Sequence, residues 1–107
     1  MSRRISLLIV AILLLPAPAP AADIAPEFWD RPRSAQAVMA QPAVQQAVAA
    51  YQASGVARIV IIHGLRQEAQ LQAEELRAWL VALAVDSARL QLRTDPAATA
   101  IRMEVME

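Results

Sequence analysis

Residues Arg58 to Gln67 read Arg-Ile-Val-Ile-Ile-His-Gly-Leu-Arg-Gln, and this stretch decides the fold. Ile59 to Ile62 are four β-branched residues in succession, stiff at χ1 and well suited to a pleated sheet. Their apolarity is continuous, not alternating. Both faces of such a strand must be covered, as in the centre of a sheet. The spacing predicts a strand over Val56–His63. Gly64 lets the chain turn, by a positive φ or a close backbone approach. A helical pattern begins at Leu65. Leu65, Ala69, Ala73, Leu76, Leu80 and Leu83 recur at spacings of 4, 4, 3, 4 and 3, with Trp79 beside them. That stripe predicts an amphipathic helix over Leu65–Ala84 that lies on the sheet.

The flanks extend the pattern on both sides. Asp23 to Pro32 holds two prolines and the adjacent pair Phe28-Trp29. It reads as a short extended segment that docks its aromatics on the core, with an exposed aromatic grip for a partner as the functional alternative. Ser34 is a good N-cap for a helix over Ser34–Gln41. Pro42 is placed to open a second helix at its first turn. Val44, Ala47, Val48 and Tyr51 then form one apolar face, and Gly55 suits a left-handed cap. After the long helix, Val85–Ala88 reads as a turn capped by Asp86 or Ser87. Arg89–Arg93 alternates as a half-buried strand. Thr94–Thr99 is a loop whose Asp95-Pro96 signals a turn. Ile101, Met103 and Val105 alternate with Arg102, Glu104 and Met106 as a last strand. The expected architecture is α+β, a two-layer α/β sandwich of order β-α-β-α-β-β. Its βαβ units are expected to cross over right-handed, with the last two strands paired as an antiparallel edge.

The first 22 residues read as a leader, and residues 23–107 as the folded domain. Arg3 and Arg4 precede an uncharged apolar run, Ile5–Leu15, and a small-residue stretch, Pro16–Ala22. That is the three-part layout of a secretory signal peptide, with cleavage expected after Ala21 or Ala22. The run is shorter than the roughly 20 residues of a membrane span. A stable span after cleavage is therefore not expected. Removing the leader leaves eight of the ten basic residues against ten acidic ones, a net charge of −2. Nucleic-acid binding needs a clustered basic surface, so this balance argues against it. There is no cysteine, so neither disulfides nor thiolate metal ligands are available. All ten basic residues are arginine and alanine is frequent, the usage of a GC-rich bacterial genome. The compartment expected is the periplasm.

His63 is the single histidine. Zinc usually takes three or four ligands, and only Glu68 lies near it in sequence. No Gly-x-Ser-x-Gly elbow supports a Ser-His-Asp set, and no glycine-rich phosphate loop is present. Glu74 and Glu75 are adjacent on a helix and point about 100° apart, so they read as a solvated face, not a catalytic pair. The corner His63, Gly64 and Arg66 is the candidate ligand site, because a helix start with an arginine beside it attracts carboxylates or phosphates. Phe28 and Trp29 are the candidate partner contacts. No catalytic residue, metal or cofactor is assigned.

The element order, the strand and turn Arg58–Gly64, the helix end and strand start Leu80–Leu90, and the closing strand Ile101–Val105 together resemble the OmpA-like periplasmic domain, with Phe28 standing in its first strand. The likeness spans most of the mature chain. It implies an α/β sandwich in the cell envelope. Members of that family hold the diaminopimelate of peptidoglycan with an Asp in the turn and an Arg on the long helix. Here the turn is His63-Gly64-Leu65 without an Asp. Gln72-Ala73 stands where Arg-Ala is expected, and Arg77-Ala78 comes one turn late. The resemblance thus implies fold and compartment without those contacts. The function expected is a small exported non-catalytic envelope protein that binds a periplasmic protein partner or a cell-wall component. The alternatives are an assembly accessory that oligomerises through an edge strand over Ala100–Met106, and a minimal hydrolase using His63.

Overall fold

The computed structural model describes residues 21–107. The expected leader lies outside the described residues, apart from Ala21 and Ala22. These two belong to β1 (Ala21–Asp23). There follow a 3-10 turn (Pro26–Asp30), α1 (Ala35–Met39), α2 (Pro42–Ala53), β2 (Arg58–His63), α3 (Gln67–Ala82), a 3-10 turn (Ser87–Arg89), β3 (Leu90–Thr94) and β4 (Arg102–Met106). The four strands form one sheet in the order β1-β4-β2-β3, and the helices pack on one side of it. This is the two-layer α+β sandwich expected.

Several local readings are confirmed atom by atom. The Ser34 hydroxyl accepts from the Ala37 amide at 3.1 Å, the N-cap of α1. Pro42 is the first residue of α2. The Asp86 carboxylate accepts from the Ala88 amide at 3.0 Å. Ala73, Leu76 and Leu80 on α3 are fully buried. They meet Ile59 and Ile61 of β2, Val44 and Ala47 of α2, and Met103 and Val105 of β4 in one cluster. Burying each large aliphatic side chain contributes about 1.5–3 kcal/mol.

Other readings are corrected. The segment Asp23–Pro32 is not extended throughout, because Pro26 opens a 3-10 turn. Val56 is 69% exposed and Leu65 72%, so β2 starts at Arg58 and α3 at Gln67. Neither glycine has a positive φ. Among the described residues the one in the left-handed region is Ala84, at φ 73°. The last two strands do not pair. β3 runs parallel to β2, while β4 lies between β1 and β2 and is antiparallel to both. The stretch Ala100–Met106 is therefore interior, and among the described residues the edges of the sheet are β1 and β3. The physical reason is that this arrangement gives β2, the most apolar strand, a neighbour on each side.

β2 also has two dry faces but only one helical layer. Val60 and Ile62 point away from the helices and are still 1% and 3% exposed. Glu104 and Gln91 flank Val60 in register, and Arg102 and Arg93 flank Ile62. Arg93 reaches from β3 over β2 to Glu104 on β4 at 3.1 Å. The aliphatic stems of these long side chains roof the two branched residues while their charged ends stay wet. An exposed ion pair adds little by itself. Its value here is the cover.

The end of α3 is a Schellman motif. Val85 donates to the Leu80 carbonyl at 3.0 Å and Ala84 to the Val81 carbonyl at 3.0 Å. Val85 and Leu80 are both buried in the core cluster, the apolar contact usual in this motif. Ala84 occupies the position that glycine usually takes, and its Cβ strains the left-handed backbone. Ala84→Gly is expected to raise stability by roughly 1 kcal/mol, a gain in Tm of about 5 °C for a domain of this size, in a thermal melt followed by circular dichroism.

Candidate functional site

The corner after β2 is held from two directions. Asp95 donates its amide to the His63 carbonyl at 2.8 Å, so the loop after β3 starts against the end of β2. The Asp95 carboxylate accepts from Ala97 at 2.9 Å, and Ala98 donates to the Asp95 carbonyl at 3.0 Å. The turn read from Asp95-Pro96 thus folds back over the corner. A Cβ on Gly64 would stand 2.9 Å from the Ala98 carbonyl oxygen. Close approach is what this position needs, and its φ is negative.

His63 does not join the site. By alternation with Ile59 and Ile61 its ring lies on the helix side of the sheet, and the residue is 7% exposed. Nδ1 donates to the Gly64 carbonyl at 2.8 Å, which ties the ring to its own corner. No hydroxyl or carboxylate hydrogen-bonds it among the described residues. Nor is there any group of three His, Cys, Asp or Glu residues among them that could hold a metal.

Gly64 and Arg66 do reach open space. They line a hollow of about 490 Å³ with Ala69, Gln72 and the Ala98–Ile101 segment. A second hollow of about 370 Å³ adjoins it and adds Trp29, Asp30 and Glu68. The two share Arg66, Ala69, Gln72 and Thr99–Ile101, so they form one groove between the first half of α3 and the loop leading into β4. Its floor is apolar at Ala69 and Ile101. Gln72 and Thr99 supply polar groups. Arg66 makes no salt bridge among the described residues and supplies a cationic group where the two hollows meet. Asp30 and Glu68 make the Trp29 end acidic.

The aromatic pair is divided. Phe28 is 7% exposed and turned into the core, as the docking reading expects. Trp29 is half-buried and lines the groove. Their rings meet edge to face at 4.8 Å and 78°. Trp29 is then fixed by Arg33, which sequence reasoning missed. Arg33 grips Glu75 of α3 through two bonds of 2.8 and 2.7 Å, and its Nη1 donates to the Trp29 carbonyl at 2.9 Å. Trp79 donates its ring N–H to Glu75 at 3.3 Å. Glu75, its side chain still 36% exposed, is thus also a clasp between α3 and the segment before α1. Its signal in sequence was only the Glu75–Trp79 spacing of one helical turn. The partner, 42 residues away, left none.

Comparison of the chain with protein-family models, with curated proteins and with solved structures finds no match.

Two outcomes follow from this geometry. Gly64→Ala should destabilise the domain by about 1–3 kcal/mol, since backbone must move to admit the methyl group, and NMR shifts should concentrate in residues 95–101. The Arg33 guanidinium holds the Glu75 carboxyl below its ordinary value of 4.5, mainly through their hydrogen bonds. A depressed carboxylate contributes stability that is complete above the ordinary value and is lost as pH falls through the lower, folded-state value. Melting temperature should accordingly drop as pH is lowered below the ordinary glutamate range, and Glu75→Gln should flatten that part of the profile.

Proposed function

We propose that this protein is an exported, non-catalytic binding module of the bacterial envelope, and that the groove between α3 and the 98–101 segment receives a peptide. The peptide belongs either to a periplasmic protein or to the cell wall. The observation that carries the reading is the joining of Arg66 and Trp29, two residues 37 positions apart, along one open groove. A carboxylate fits beside Arg66, where the two hollows meet and α3 also offers the unpaired amides of its first turn. An apolar or cationic side chain fits the indole and acidic groups at the Trp29 end. The basic-apolar-small leader of residues 1–22 supports export. The two-layer sandwich is compatible with an OmpA-like domain, whose peptidoglycan contacts this groove does not repeat. His63, tied to the Gly64 carbonyl, supports a structural role over a general base.

The test is site-specific photo-crosslinking from Gln72 in intact cells, alongside sedimentation of the purified chain with peptidoglycan. An envelope peptide or wall fragment should be captured. Arg66→Glu and Trp29→Ala should each weaken capture about tenfold while the circular dichroism spectrum is kept. Unchanged capture in both variants, or retention of the chain in the cytosol, would overturn the proposal.

A further inference from the structure

β3 ends the sheet on the side away from β1, and its outer edge has no partner among the described residues. The direction of its backbone groups can be read from one bond. The Asp95 amide points to the His63 carbonyl of β2. In a strand, successive residues point their N–H and C=O groups to opposite edges. Gln91 and Arg93 therefore bond to β2, and Leu90, Leu92 and Thr94 direct theirs outward. The Leu90 amide is already spent on the Ser87 carbonyl. The Leu92 and Thr94 amides, and the carbonyls of all three, are left at the edge. The register with β2 is unbroken and Leu90–Thr94 holds no proline. Its one charge, Arg93, is drawn back across β2 to Glu104 at 3.1 Å, away from the open edge.

We infer that this edge pairs antiparallel with the same edge of a second copy of this chain, about a two-fold axis at Leu92, giving one sheet continuous across the two copies. Three two-fold registers use the strand. An axis at Arg93 sets two arginines directly opposite each other, which is unfavourable. An axis at Gln91 pairs Leu90 with Leu92 and calls on the spent Leu90 amide, so two hydrogen bonds form. An axis at Leu92 forms four, two between the Leu92 residues and one from each Thr94 amide to the partner's Leu90 carbonyl. It also sets Gln91 opposite Arg93, where the amide oxygen can accept from the guanidinium. The half-buried Leu92 side chains meet on the helix face and complete their burial. Charge, capping and burial thus select one register. The groove at Arg66 is not part of this contact, and the inference stands without it.

Sedimentation velocity of the full chain over a concentration series should show a monomer–dimer equilibrium. Leu92→Lys, which sets like charges at the axis, and Thr94→Pro, which removes an outward amide and leaves the β2 ladder whole, should each weaken dimerisation about tenfold or more. The chain has no cysteine, so single cysteines report the register directly. Directly opposed, hydrogen-bonded residues have Cα atoms about 5.5 Å apart, within disulfide reach. Leu92→Cys should therefore oxidise to a covalent dimer, and Gln91→Cys alone should not. A chain that stays monomeric at its highest soluble concentration and yields no Leu92→Cys dimer overturns the inference. So does a dimer that survives Leu92→Lys and Thr94→Pro, or one that cross-links equally at both cysteine positions. The mild Leu92→Cys change keeps the test decisive if either disruptive variant fails to fold.

Discussion

Ile59, Val60, Ile61 and Ile62 carry apolar side chains on both faces of one strand, and the rest of the molecule is arranged to keep all four dry. On one face the requirement is met by packing. Ala73, Leu76 and Leu80 of α3 and Val44 and Ala47 of α2 close over Ile59 and Ile61 in a single cluster with β4. On the other face no layer exists among the described residues. There the long side chains of the neighbouring strands lie across Val60 and Ile62, and the Arg93–Glu104 pair holds them in place. A small domain buries a limited share of its surface, so covering a strand with arginine stems instead of another layer suits its size.

The same constraint fixes the topology. A hairpin between β3 and β4 would be the local solution, with a short loop and low closure entropy. It would leave one edge of β2 with at most the three-residue β1 as partner. Carrying the chain past the end of β2 instead lets β4 bond to β2 on one side and to β1 on the other. That crossing puts Asp95 on the His63 carbonyl and the 96–98 turn over Gly64. The groove is a consequence, because the segment that climbs back toward β4 becomes the wall facing α3.

Two arginines hold the surroundings of the groove and of β3, and each does so mainly through backbone carbonyls or a doubly bonded carboxylate. Arg33 links the Trp29 segment to α3. Arg89 donates to the Ala57 and Ser54 carbonyls at 2.7 and 2.8 Å and lies 4.1 Å from the Tyr51 ring centroid, which ties the start of β3 to the end of α2. The planar fork of arginine suits such multiple contacts, where lysine would supply a single point charge. An arginine-only basic set, read in sequence as a codon habit, therefore also has structural work at these two positions.

What depends on near neighbours was legible in the residues alone. The run Ile59–Ile62 fixed a central strand, the leucine spacing fixed α3, and Ser34, Pro42 and Asp86 marked the local starts. The alternation of Ile101, Met103 and Val105 gave the inward face of β4. Gly64 and Arg66 were legible as a corner, and Trp29 as a contact, but their meeting in one groove was not. Only the tertiary structure decided the strand order, the left-handed Ala84, the Arg33–Glu75 clasp and the inward turn of His63. Periodicity and capping act over a few residues and leave a pattern in them. Strand order, and contacts between residues tens of positions apart, are chosen by the burial of the whole core, which no short stretch of the chain records.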